Sequence, residues 1–251
     1  ITNEEKLAYI NQAVENLETD DLKLSGIFSN GATIFAISNT LSDHTLYFAM
    51  SDAQITTVLA HEKLKWEIIA EQSAQNKAEL NPEKIHKDLT FLLKHYQDDE
   101  PKQLPLGAYD IILGPAAIAE LVSFMDWVGV NGTVMERGYS FLKKEDQGQK
   151  IFSDKFTLTD DPAALPTFPF RKDFSGIQRN PFPLFKEGVF QKFTWDQDGA
   201  DEFGQTPTGH TVMHNSLALK GGDSPAETAA DLLDMPRQRD TLYIPFLHYM
   251  N

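Results

Sequence analysis

The chain has 251 residues with 37 acidic against 22 basic side chains, a formal charge of −15 and a pI of about 4.8. That length allows one large domain or two modest ones at roughly 100–200 residues each, and a hydrophobic content of 41% excludes global disorder. The acid excess argues against nucleic acid or an anionic membrane as a direct partner, since both need clustered Lys and Arg, and zero cysteines remove disulfides, thiolate nucleophiles and cysteine metal ligands.

Leu7, Ile10, Val14 and Leu17 recur at helical spacing behind Thr2 or Asn3 as N-cap, which predicts an amphipathic helix over residues 3–18. Short β-rich stretches follow at 23–28, 33–38, 45–50, 55–60 and 65–69. Ser29-Asn30-Gly31 is read as a hairpin turn between the first two. Asn81-Pro82 starts a helix, cap then N1 proline, whose apolar face is Ile85, Leu89, Leu92 and Leu93. Residues 98–107, with three acids, two prolines and a glycine, read as a linker.

Residues 109–113 form a compact buried strand, and Gly114-Pro115 turns it into a helix over about 116–128. The apolar run 116–130 is shorter than the roughly 18–20 residues of a membrane span and is interrupted by Glu120 and Asp126. Residues 151–210 hold 10 of the 17 phenylalanines and 6 of the 13 prolines, a density that excludes long helices. A short helix near 224–233, capped by Ser224 with Pro225 at N1, follows the turn Lys220-Gly221-Gly222-Asp223. The fold class is therefore α+β: a smaller α+β domain at about 1–100, then a β-rich C-terminal domain at about 107–251. The opening Ile1 and the apolar close Leu242-Tyr243-Ile244-Pro245-Phe246-Leu247 predict a piece of a longer two- or three-domain chain.

Three groups of residues bear on chemistry. His210 and His214 share one face of a helix or strand, and are read as surface or half-buried histidines; the alternative is zinc, which needs a third ligand. Asp160-Asp161-Pro162 reads as an Asx-type turn, or as a carboxylate pair that binds a cation or shares a proton. The aromatic-proline stretch 168–195 is either the inner face of a β core or a groove for an extended peptide. No nucleotide-binding glycine motif and no Gly-x-Ser-x-Gly occurs.

The succession Gly107-Ala108-Tyr109-Asp110-Ile111-Ile112-Leu113-Gly114-Pro115, Arg137-Gly138-Tyr139-Ser140-Phe141-Leu142, Gly148 and Thr157-Leu158-Thr159-Asp160-Asp161-Pro162 resembles the motifs of the TldD/PmbA family, the so-called modulators of DNA gyrase. So do Asp173-Phe174-Ser175-Gly176, Phe185-Lys186-Glu187-Gly188-Val189-Phe190 and Thr206-Pro207-Thr208-Gly209-His210. The resemblance covers roughly residues 25–247. Asp160, Asp161, Asp173, Gly176, Phe182 and Phe185 are the peptide-binding candidates.

It also implies a metallopeptidase relationship. In the TldD kind a helix carries His-Glu-x-x-x-His, two zinc ligands and a base, completed by a cysteine; the TldE/PmbA kind lacks the motif and pairs with the TldD kind. Here the matching positions read Ala119-Glu120-Leu121-Val122-Ser123-Phe124, so Glu120 alone remains, as a solvated helix acid or a vestige of the motif. The chain resembles the TldE/PmbA kind. The expectations that follow are no cofactor of its own, with zinc only in a TldD-like partner. That partner or a second copy would complete a dimer that processes unfolded peptides in the cytoplasm. A stand-alone module for extended peptides is the alternative, and a divergent hydrolase built on Asp160, Asp161 and His214 is another.

Overall fold

The computed structural model describes all residues except 41–44, 99–101, 165–169, 212–214, 225–228, 237 and 248–251. Two compact units interleave along the chain: Ile1–Thr33, Ala49–Ala117 and Ala226–Asn251 make the first, and Ile34–Phe48 and Ile118–Pro225 the second.

In the first unit, helix α1 (Asn3–Ala13) opens with a reciprocal cap. Thr2 Oγ1 accepts from the Glu5 amide at 3.2 Å, and the Glu5 carboxylate accepts from the Thr2 amide at 2.9 Å. Strands β1 (Leu22–Ile37), β2 (Leu46–His61) and β3 (Glu67–Ala74) form a sheet in that order, with β1 from Ile34 onward and β2 up to Phe48 counted in the second unit. β2 runs antiparallel to β3, from Ala53 opposite Ala74 to Ala60 opposite Glu67. Alternate residues Ala53, Ile55, Thr57 and Leu59 of β2 are buried, the period expected of a strand covered on one face. Helix α2 (Pro82–Asp98), with Asn81 Oδ1 accepting from the Glu83 amide, lays Ile85, Leu89 and Leu92 into the same core as Tyr9, Ala13 and Ile68.

The hairpin turn expected at Ser29-Asn30-Gly31 does not form. A two-residue hairpin of that kind needs positive φ at its central residues. Neither Asn30 nor Gly31 has it, and β1 runs unbroken to Ile37. The expected strands 45–50 and 55–60 likewise fuse into β2. Strand β4 (Asp110–Leu113) pairs in parallel with β9 (Thr241–Ile244), and helix α6 (Ala229–Leu233) precedes β9. Ser224 and Pro225 were expected to open that helix, and residues 225–228 lie outside the described ones.

Helix α3 (Pro115–Phe124) passes from the first unit into the second and continues as a π-turn over Met125–Gly129, closed by the Val130 amide on the Met125 carbonyl at 2.9 Å. Short helices α4 (Gly132–Glu136) and α5 (Gln197–Phe203) flank an antiparallel sheet. That sheet comprises β5 (Leu158–Asp160), β6 (Phe182–Lys186), β7 (Val189–Phe190) and β8 (Leu217–Leu219), in the order β7-β6-β5-β8. Glu187 and Gly188 both have positive φ, the backbone of a two-residue hairpin turn between β6 and β7. A Cβ on Gly188 would sit 2.1 Å from the Phe152 carbonyl oxygen, so only glycine fits. Leu158, Leu184, Phe185, Phe190, Phe193 and Trp195 are buried together. The aromatic stretch is thus largely the inner face of a β core, the first of the two fates expected for it. Mixed helix and sheet is the α+β class expected. No helix among the described residues is long and apolar enough to cross a membrane.

Candidate functional site

The helix on which metallopeptidase relatives are expected to carry their motif is α3. Its buried side is Ala117 and Val122; Ala119, Glu120, Leu121 and Ser123 are exposed. Phe124 stacks edge-to-face on Trp127, ring centroids 5.5 Å apart, and Trp127 is 65% exposed. These side chains supply one carboxylate and one hydroxyl, and no imidazole or thiolate. That donor set does not fit a zinc ion, which takes three or four N, S or O ligands. Among the described residues no three His, Asp or Glu side chains gather as a metal site.

The polar chemistry lies elsewhere, in the second unit. Asp160, the last residue of β5, is 1% exposed. Arg179 Nη2 donates to both its oxygens at 2.7 and 2.6 Å, and the Ser216 amide donates to Oδ1 at 2.6 Å. Arg179 Nη1 donates to the Phe170 carbonyl at 3.0 Å. His210 Nε2 lies 3.2 Å from Asp160 Oδ2 but off the hydrogen-bond line, so that contact is electrostatic rather than directional. On the other side of the ring, Nδ1 is 2.7 Å from Thr208 Oγ1. Burial pushes the Asp160 carboxyl up; the contact with His210 and the Arg179 charge outweigh it and hold the group below the ordinary carboxylate range. Gly209, with φ of 82°, lets its loop lie against Arg179, whose Cγ would be 2.9 Å from any Cβ there.

A second, half-buried pair adjoins this cluster. The π-turn turns Asp126 inward, where Asn215 Nδ2 donates to both carboxylate oxygens at 3.0 and 2.8 Å. Burial pushes the Asp126 carboxyl up, against the opposing effect of the Asn215 bond. Among the described residues, Asn215 Oδ1 is buried with no hydrogen-bond partner, as is Arg179 Nε.

The residues singled out from sequence divide clearly. Asp160 and His210 meet, and Phe182 packs edge-to-face on the His210 ring at 4.8 Å. Asp173 is fully buried: its Oδ1 accepts from the Ser175 and Ile177 amides and its Oδ2 from the Thr211 amide, clasping the turn that contains Gly176. Asp161 stands apart at the surface of the turn, its Oδ1 accepting from the Ala163 amide at 2.9 Å, the Asx arrangement expected before Pro162. Phe185 is fully buried in the core, and Glu120 is exposed on α3. His214 lies outside the described residues. Sequence reasoning missed Arg179, Asp126 and Asn215. The signal for Asp126 was its interruption of an apolar run, and for Arg179 a cation placed two residues before Pro181-Phe182-Pro183.

Chemically, the Asp160–Arg179–His210 cluster is a closed clamp. Every Asp160 oxygen is engaged, and all three side chains are 4% exposed or less. It fixes β5, His210, Ser216 and the chain around Arg179 to one another; it offers no group to a reacting substrate.

The family model of the PmbA/TldA metallopeptidase C-terminal domain matches residues 106–245. No curated protein matches the sequence. Among solved structures, a proposed modulator of DNA gyrase from Bacteroides thetaiotaomicron is similar at TM-score 0.75 and 19% identity, over 88% of this chain and 51% of that one. Another, from Thermotoga maritima, gives 0.74 and 17%, over 88% and 53%. TldE from Thermococcus kodakarensis gives 0.70 and 18%, over 96% and 56%. At these identities the likeness is one of fold, and the chain spans about half the length of the solved proteins it matches. With the family model covering more than half of its residues, the chain belongs to the PmbA/TldD family.

Proposed function

We propose that this chain is the non-catalytic member of a peptide-processing pair. It binds no metal of its own, forms a dimer with itself or with a TldD-like subunit, and helps hold unfolded peptides for cleavage at the partner's zinc. The observation that carries this reading is the donor set of α3: Ala119 and Phe124 stand where active relatives are expected to place ligands, and Glu120 remains alone. The buried clamp supports it, because Asp160 and His210 are consumed in holding the fold and are not presented to a substrate. A cytoplasmic location belongs to the same proposal. The −15 charge speaks against any direct contact with DNA.

Two measurements test it. Metal analysis of the purified chain after dialysis is expected to find no stoichiometric zinc; retained zinc would overturn the reading. A tagged chain expressed in its native host is expected to recover a subunit with His-Glu-x-x-x-His, identified by mass spectrometry. Recovery of bound peptides without such a subunit would favour the stand-alone peptide-binding module.

A further inference from the structure

The residues first named for peptide binding are largely buried, so peptide contact must be sought at the surface. In the second unit a cavity of about 260 Å³ opens over Trp195 and Phe193. Its polar lining is unlike the rest of this acidic molecule. Lys144 and Lys192 face it together with Thr206 and Thr208, and Glu136 is the one acid among the lining residues. Neither lysine takes part in an ion pair among the described residues.

Lys192 is held in place. Its Nζ lies 4.0 Å from the centroid of the Phe182 ring, a cation–π contact. Phe182 in turn packs on His210, and Thr208, in the cavity wall, is the residue whose hydroxyl meets His210 Nδ1. The wall is thus braced by the Asp160–Arg179 clamp behind it, which lowers the ordering cost of binding. Two cations and two aromatic rings lining one cavity match a group that is anionic at one end and apolar at the other. The terminal residue of a peptide, with its free α-carboxylate and an apolar side chain, has that chemistry.

We propose that the cavity over Trp195 is a subsite for the C-terminal residue of an extended peptide, with Lys144 and Lys192 attracting the carboxylate and Phe193 and Trp195 receiving the side chain. This deepens, and rests on, the reading of the chain as a peptide-handling subunit.

The test is fluorescence anisotropy with the full chain and three N-terminally labelled probes. They are Ala-Ala-Ala-Ala-Leu as free acid, the same peptide as C-terminal amide, and the amide Ala-Ala-Glu-Ala-Leu. The free acid is expected to bind about tenfold more tightly than either amide, a difference of about 1.4 kcal/mol. Lys192→Met and Lys144→Met should each shrink that preference, while Lys155→Met, an exposed lysine outside the cavity, should keep it. All three lysines are exposed, so the variants are expected to fold, and unchanged melting curves check this. Equal binding of acid and amide overturns the subsite while leaving peptide handling intact. Equal binding of the free acid and the glutamate amide overturns it in favour of an acidic side chain as the group recognised. A preference that survives both cavity substitutions also overturns it, as does no binding of any probe; the parent reading then stands or falls on partner recovery.

Discussion

Arg179 Nη2 lies 2.7 and 2.6 Å from the two carboxylate oxygens of Asp160, and both side chains are 1% exposed. A charge pair removed from water this completely is held by geometry, and its loss exposes what it was neutralising. Arg179→Met leaves a buried carboxylate with only the Ser216 amide and His210, and is expected to cost about 3–5 kcal/mol. Asp160→Asn combined with Arg179→Met should lose much less than the two single changes summed, because no unpaired charge remains. Urea denaturation of the four proteins measures the coupling; additive losses would refute the clamp.

The carboxylates of Asp160, buried, and Asp126, half-buried, respond to pH in opposite senses. The Asp160 carboxyl is lowered in the fold, so its contribution is present above the ordinary carboxylate value and is lost as pH falls through the lower, folded one. The Asp126 carboxyl is raised, so its contribution is full at low pH and is lost as pH rises through the folded value. Asp126→Asn is expected to abolish that second loss and to leave acid unfolding unchanged. Melting temperature followed across a pH series, wild type against variant, checks the sign.

Two glycines with the same backbone separate strain from collision. Gly148 has φ of 81° with nothing within 4 Å of an added Cβ, so Gly148→Ala should cost only left-handed strain, about 1–2 kcal/mol. Gly188, at 79°, would also drive a Cβ onto the Phe152 carbonyl at 2.1 Å. Adding an overpacking cost, Gly188→Ala is expected to lose about 2–5 kcal/mol. Thermal denaturation of the pair gives the order, and an equal loss at both would show that the hairpin relaxes freely.

Glu120 is exposed on α3 and flanked by Ala119 and Ser123. Glu120→Gln is expected to change stability by no more than about 0.5 kcal/mol. In complex with a TldD-like subunit it should leave the rate of peptide cleavage unchanged. A large fall in that rate, at unchanged stability, would give this chain a catalytic role.

In the first unit the packed surfaces were legible because they follow local rules. Thr2 and Glu5 cap each other across three residues, and Asn81-Pro82 opens α2 with Ile85, Leu89 and Leu92 on one face. The turn at Asn30-Gly31 failed for the complementary reason. Those residues permit a reversal but do not require one, and pairing along β2 keeps β1 extended. Asp161 was readable as an Asx turn because its partner is two residues away.

What the sequence by itself determined is what depends on residue type or on neighbours in the chain: the α+β class, the caps, and the absence of cysteine. Tertiary structure alone decided the parallel pairing of β4 with β9, and the meeting of Asp160 with Arg179 19 residues away and with Ser216 56 residues away. No periodicity encodes such separations. They form because a buried carboxylate must find a cation and a donor wherever the packed core brings one within reach.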